Sequence, residues 1–466
     1  MWGERVRVAG ARGVSGAGPA VFRCAFGIAV TVNALMYLPD LADAYYADAA
    51  FHFGYPPLTF VQPPPGPWLR LVYAGMVVAG LLIAAGLWYR AACAAFFTLT
   101  TYVFLLDSSF YQNHEYLLSL LSFLMIFLPL HSSWSLDARL RPAVASPTVP
   151  AWVVWLLRFQ IGVPYVFGGL AKLNGDWLRG EPLRGWLAER ADFPLVGRFF
   201  TEEPVVLAMA YGSLVFDLTV AGLLSHRRTR AWAFAAAVCF HLANARLWGL
   251  FIFPWLMIPA TTVFFPPDWP RRLLHRVREP TPAPAPALVP VPVPVPVPVT
   301  APVPVPVAAP VAARRAAVRP ALALCLAAWA TVQMLLPLRH LLIPGPANWT
   351  EEGHRYAWHM MLRAKEGTAA FILTDGRRVW RIDNADYLTP EQEARLAGHP
   401  ERLVLFAHFL SEEFDGAEVR VRAWVALNGR DPALLIDPDV DLSRIPVPWW
   451  GHADWILPLD EPLPGP

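Results

Sequence analysis

Three stretches of this chain place polar groups inside or at the ends of apolar runs. Asn113-His114-Glu115-Tyr116 opens one run. Lys172 closes another, within Gly168-Gly-Leu-Ala-Lys-Leu-Asn-Gly-Asp-Trp177. His241 and Asn244 stand near the end of a third, one helical turn apart on one face. Ionisable groups in such runs are expensive and are functional candidates by default. Each also has an ordinary structural reading. Lys172 could be a snorkelling lysine, His114 a helix-capping or interfacial residue, and His241 an interhelical hydrogen-bond partner. Convergence separates the readings: three runs deliver polar groups to one level beside a basic segment. A basic, partly lipid-walled pocket suits an anionic substrate such as a carboxylate or bicarbonate.

The elements that must hold these groups are membrane helices. The chain is 56% hydrophobic and only 16% charged, against about a quarter charged in a soluble domain. Windows of about 20 apolar residues fall at 21–39, 68–88, 91–107, 115–131, 151–171, 204–224, 231–247, 249–265 and 319–338. The first lacks a clear small-residue cleavage site and reads as a retained helix. Arg5, Arg7, Arg12 and Arg23 put the N-terminus in the cytoplasm, and Asp40, Asp43 and Asp48 put the next loop outside. Arg90, Arg139, Arg141, Arg227, Arg228, Arg230, Arg271 and Arg272 continue the alternation. The external segment with Lys172, Arg179, Arg184, Arg190 and Arg198 breaks it.

The reading is mainly α: a cytoplasmic tail (1–20), a transmembrane bundle (21–265), a cytoplasmic loop (266–318), a last transmembrane helix (319–338) and an extracytoplasmic α+β domain (339–466). In that domain, Asp375-Gly376 and Asn428-Gly429 mark two hairpins around a helix over Glu391–Phe414. Within the loop, the Pro-Val and Pro-Ala tract at 280–310 reads as an extended polyproline II spacer. A net charge of +2 and the absence of RNA- or DNA-binding motifs exclude nucleic acid as a partner. Cys24, Cys93, Cys239 and Cys325 all sit in apolar runs without a Cys-x-x-Cys pair, and read as buried thiols.

These residues, taken in series, resemble the vitamin K-dependent γ-glutamyl carboxylases, within the horizontally transferred transmembrane (HTTM) domain superfamily. The resemblance runs from Phe22-Arg-Cys-Ala-Phe-Gly27 and Tyr102-Val-Phe-Leu-Leu-Asp107 through Asn113-His-x-Tyr-Leu117 and Lys172-Leu-x-x-Asp-Trp177. It continues with Phe240-His-x-x-Asn244, Pro267-Asp-Trp-Pro270, Asn348-Trp-Thr350, Tyr356-x-Trp-x-Met-Met361 and Ile436-Asp-Pro-x-Val-Asp441. It implies γ-carboxylation of peptidyl glutamate with CO2, driven by reaction of a reduced quinone (menaquinol or phylloquinol) with O2. The quinone supplies an alkoxide strong enough to remove the γ-hydrogen, in a pocket dry enough that water does not quench it. By motif match, Lys172 is the base that starts quinol deprotonation. Such an amine must be unprotonated, and burial disfavours the charged form of an amine. His114 stabilises the glutamyl carbanion or its carboxylation transition state. Asn113, Tyr116, Trp177, His241 and Asn244 line the substrate and quinone pocket. Tyr356, Trp358, Met360 and Met361 form a seam between outer domain and bundle.

The resemblance implies no metal and no biotin. Partners are a glutamate-containing peptide, membrane lipid and a quinone-reducing system. The animal members carry a further luminal region for propeptide binding, which has no counterpart after Trp455, and an outer disulfide that these cysteines do not offer. Two other readings stay open: a quinol epoxidase or oxidase without peptide carboxylation, and a non-enzymatic membrane factor for secreted-peptide maturation or immunity. High arginine and alanine with the Pro-Val tract point to a GC-rich bacterium, hence its plasma membrane with the active site on the extracytoplasmic face.

Overall fold

A computed structural model describes residues 2–38, 49–64, 68–250, 252–278, 317–448 and 450–463. The Asp40–Asp48 loop and the Pro-Val tract lie outside the described residues. Each expected span contains a helix: α1 Ala17–Tyr37, α2 Trp68–Ala85, α3 Tyr89–Leu106, α4 Asn113–Phe127, α5 Ala151–Ala171, α6 Glu203–Ser225, α7 Arg230–Trp248, α8 Ile252–Thr261 and α9 Pro320–Leu335. Among the described residues, six of these are long and apolar enough to cross a membrane: α1, α2, α3, α5, α6, and α9 with its extension to Leu342. At 15 residues, α4 is about 22 Å long, short of a roughly 30 Å hydrocarbon core. The expected 1–20 tail is itself ordered from Trp2, with a helix Trp2–Ala11 and a strand Gly13–Ser15 paired to Thr148–Pro150.

Small residues let α1 and α2 touch. A side chain on Gly27 would run into the Ala84 backbone, and one on Gly80 would meet Thr31. Such close backbone approach is how helices associate where no hydrophobic drive exists between them. Arg23, counted above as a cytoplasmic charge, is instead 2% exposed. Its guanidinium donates to the carbonyls of Ile83 (2.6 Å), Ala84 (2.7 Å) and Trp134 (2.7 Å). It thus satisfies carbonyls that the end of α2 leaves open.

The C-terminal unit carries β1 Lys365–Thr374, β2 Val379–Arg381, β3 Glu418–Leu427 and β4 Ala433–Leu434 in the order β2-β1-β3-β4, all neighbours antiparallel. Both expected hairpins form, and Asn428 (φ 54°) and Gly429 (φ 79°) take the left-handed conformation their turn requires. The single helix expected over Glu391–Phe414 is two: α10 Pro390–Ala394 and α11 Pro400–Glu413. Pro400 has no N–H to donate, so it starts a helix and cannot continue one. A core of its own, including Phe371, Phe406, Val421 and Val425, holds this unit together. The four cysteines are free, but only Cys93 is buried; Cys239 and Cys325 are exposed on helix surfaces. They read as buried from sequence because apolarity alone does not separate a lipid-facing position from a core one.

Candidate active site

Six of the seven residues singled out as site candidates line one cavity of about 410 Å³: Asn113, His114, Lys172, Trp177, His241 and Asn244. It lies where the end of α5, the start of α4 and the last turns of α7 meet Met360 and Met361 from the outer unit. Tyr116 does not line it. One turn into α4, its ring packs on Tyr356 (5.0 Å between centroids) and Trp358 (5.1 Å). The expected seam is therefore divided. Tyr356 and Trp358 hold the joint, whereas the two methionines face the cavity.

Lys172 follows the last residue of α5 and is 5% exposed. Its ammonium is paired with Asp217, in the interior of α6, and lies 5.2 Å from the Trp177 ring centroid. Close helix packing makes the pair reachable. A Cβ on Gly169 would come within 2.9 Å of Leu218, and one on Gly168 within 2.8 Å of Met360 Cε. Trp177 is held by donation of its indole N–H to the Ala210 carbonyl of α6 (3.0 Å). Asp217 was missed at the level of sequence. Its signal was there: a lone carboxylate deep in an apolar span.

His241 is fully buried, and its Nε2 lies 2.6 Å from the Tyr165 hydroxyl. Among the described residues its Nδ1 has no hydrogen-bond partner, an uncompensated cost unless a ligand in the cavity meets it. Phe253 of α8 packs against both His241 (5.6 Å between centroids) and His114 (6.4 Å). Tyr165, like Asp217, escaped the sequence reading. Asn113 is already engaged at both ends: its amide donates to the His359 carbonyl (3.1 Å) and accepts from Tyr111 (3.1 Å).

The expectation of a basic pocket does not hold. Among the described residues, Lys172 and Asp217 are the cavity's only Lys, Arg, Asp or Glu side chains, and they offset each other. Arg184 is bound to Glu181 (2.7 Å) and to Glu203. Internal pairing thus explains part of the external segment's departure from the charge rule. Aromatic and aliphatic side chains make up most of the lining. That environment fits an aromatic ring with hydroxyl groups better than a free anion.

The outer unit is clamped to this end of the bundle. Arg430 makes two 2.8 Å bonds to Asp176, which also accepts from Asn428 at 2.8 Å. Burial pushes the Asp176 carboxyl up, but the bonds from Arg430 and Asn428 outweigh it and leave the carboxyl below its usual value. Gln392 donates to Asp107 (2.8 Å), and Arg402 to the Ser108 carbonyl (2.8 Å). The segment that presents the methionines has unusual backbone, with Glu351, Tyr356, Trp358 and Met361 all at positive φ (52° to 65°). Non-glycine residues rarely persist there unless surrounding contacts over-determine them.

Among the described residues, no three His, Cys, Asp or Glu side chains are grouped to hold a metal ion. No solved structure matches the chain. Residues 12–269 match the family model of the HTTM domain, and residues 318–462 match that of the vitamin K-dependent gamma-carboxylase lumenal domain. The two matches together contain every residue that lines the cavity, and the chain belongs to the vitamin K-dependent γ-glutamyl carboxylase family.

Proposed function

We propose that this membrane protein γ-carboxylates glutamate in a peptide or protein, using CO2 and coupling the reaction to epoxidation of a reduced naphthoquinone by O2. One observation carries the reading: Lys172, His114 and His241, from separate helices, face one half-open, largely apolar cavity beneath the outer unit. The bound quinol would supply a base stronger than any side chain. Lys172 takes the proton from its hydroxyl. His241 Nδ1, which has no partner among the described residues, orients the ring by a hydrogen bond. His114 sits across Phe253 and stabilises charge developing on the glutamyl side chain. The aromatic walls and the methionines keep out water.

The glutamate reaches the cavity from the extracytoplasmic side, where the outer unit sits by the alternation of basic loops, and the membrane is a bacterial plasma membrane. The second reading, a quinol epoxidase or oxidase without peptide carboxylation, is favoured by the pairing of the cavity's only lysine with Asp217. Among the described residues, that pairing leaves no free Lys or Arg in the lining for a substrate carboxylate.

The test supplies purified protein with reduced vitamin K, O2, labelled bicarbonate and a glutamate-containing peptide. Label enters the peptide in the wild type. Lys172→Ala abolishes both epoxide and label, and a small free amine restores them. His114→Ala loses label and keeps some epoxide. Wild-type turnover of both reactions by Lys172→Ala would remove the base. Epoxide without label in the wild type would establish the second reading.

A further inference from the structure

We propose that Asp217 is the proton store of Lys172, so that the ion pair, and not the amine alone, deprotonates the bound quinol. This rests on the reading of Lys172 as the base and adds where its proton goes.

The pair invites an ordinary explanation, that it fastens α5 to α6. The surroundings argue against that as its whole purpose. The two helices are already joined next to the pair by the Gly169–Leu218 contact, and Trp177 bonds to Ala210 a short way along. Lys172 also follows the C-terminal end of α5, where the exposed carbonyls favour a cation without help from a carboxylate. Yet Asp217 is 3% exposed and faces the cavity. A buried carboxylate there is costly.

The groups around the pair limit where a proton can go. From α5 itself comes Tyr165, already bonded to His241 of α7. Below the amine lies the Trp177 ring, and across the cavity stands His114 of α4. The outer unit contributes two uncharged methionines. Among the described residues, Asp217 is the one anionic side chain in the lining, and it touches the amine. An ammonium–carboxylate pair can pass one proton inward, becoming amine and carboxylic acid, with no change in net charge. The amine then accepts the proton of the quinol hydroxyl. In sum, one phenolic O–H bond breaks, one Asp217 O–H bond forms, and Lys172 ends as it began. No proton has to reach water through the apolar walls, and the pair titrates as a unit.

Two measurements test this. Infrared difference spectra are recorded on adding reduced vitamin K without oxygen to protein labelled with 13C-aspartate. A label-sensitive carboxylic-acid band is expected in the wild type, and its absence from Asp217→Asn assigns it. No such band in the wild type overturns the proposal, and that arm needs no variant. The second reads epoxide formation against pH. Asp217→Asn should lower turnover about tenfold or more near neutrality and move the acid limb to higher pH, because the amine must now lose its proton to solvent. If the carboxylate only balances charge, its removal favours the neutral amine and the limb moves to lower pH, which sinks the proposal. Should Lys172→Ala leave turnover intact, the base itself is lost. Should that variant be dead while the Asp217→Asn limb moves down, only the proton store is lost.

Discussion

The Tyr165 hydroxyl and His241 Nε2 stand 2.6 Å apart across the α5–α7 contact, although 76 residues separate them in sequence. With Nε2 held by the tyrosine, Nδ1 is the ring atom left for a ligand. Tyr165→Phe removes that hold while keeping the ring's bulk. Quinol affinity, followed by quenching of tryptophan fluorescence, should weaken about tenfold, the worth of about 1.4 kcal/mol for one buried hydrogen bond. Unchanged affinity would mean that His241 does not touch the quinol.

Helix spacing next to Lys172 depends on the absence of a side chain at residue 169. Gly169→Val should force α6 away, costing about 1–3 kcal/mol of stability and separating the lysine from Asp217. Thermal unfolding in detergent measures the first effect. Gly175→Ala is the control, since nothing lies within 4 Å of a Cβ placed there.

The last helix is held through polar glue. Gln160 of α5, fully buried, accepts from Trp329 (2.9 Å) and donates to Gln333 (3.2 Å), and Gln333 is the buried residue of α9. Gln160→Leu removes both bonds and should cost about 1–2 kcal/mol. Faster proteolysis in the segment joining α9 to the outer unit would report it, and wild-type resistance would contradict it.

Docking of the outer unit rests partly on Asp176. Asp176→Asn leaves Arg430 half-buried without its carboxylate. Breaking such a pair costs up to about 3 kcal/mol at this partly exposed site. Hydrogen exchange around Leu427–Arg430 should quicken while the sheet core stays protected. Equal exchange in both proteins would show that the clamp is redundant.

Acid should loosen the outer unit. Burial pushes the Glu351 carboxyl up, but Arg363 and Lys365, each 2.7 Å away, outweigh it and hold it at about 2. Its stabilisation is complete above the ordinary value near 4.5 and is lost as pH falls toward 2. His354 and His399 add to this. Burial, then Arg363 for the first and Arg402 for the second, keep them neutral far below 6.5. The unfolded chain takes up those protons from about 6.5 downward, so stability begins to fall there. A melting temperature that stays flat between pH 7 and 4 would contradict this.

Much of the molecule was legible in the sequence because its determinants are local. Twenty apolar residues must be a helix wherever lipid is the solvent, and Asn428-Gly429 must turn whatever surrounds it. The motifs around His114, Lys172 and His241 likewise pointed to polar groups that share one cavity, since polar groups in such runs are rare. What only the tertiary structure decided was pairing. Nothing along the chain says that Lys172 meets Asp217, that Tyr165 holds His241, or that Arg23 caps a neighbouring helix. Those choices are made across separations of 45, 76 and 60 residues, the first and the last where glycines let two helices approach. A pocket that read as basic from its sequence became balanced for the same reason: charge adds up along a chain, but cancels in space.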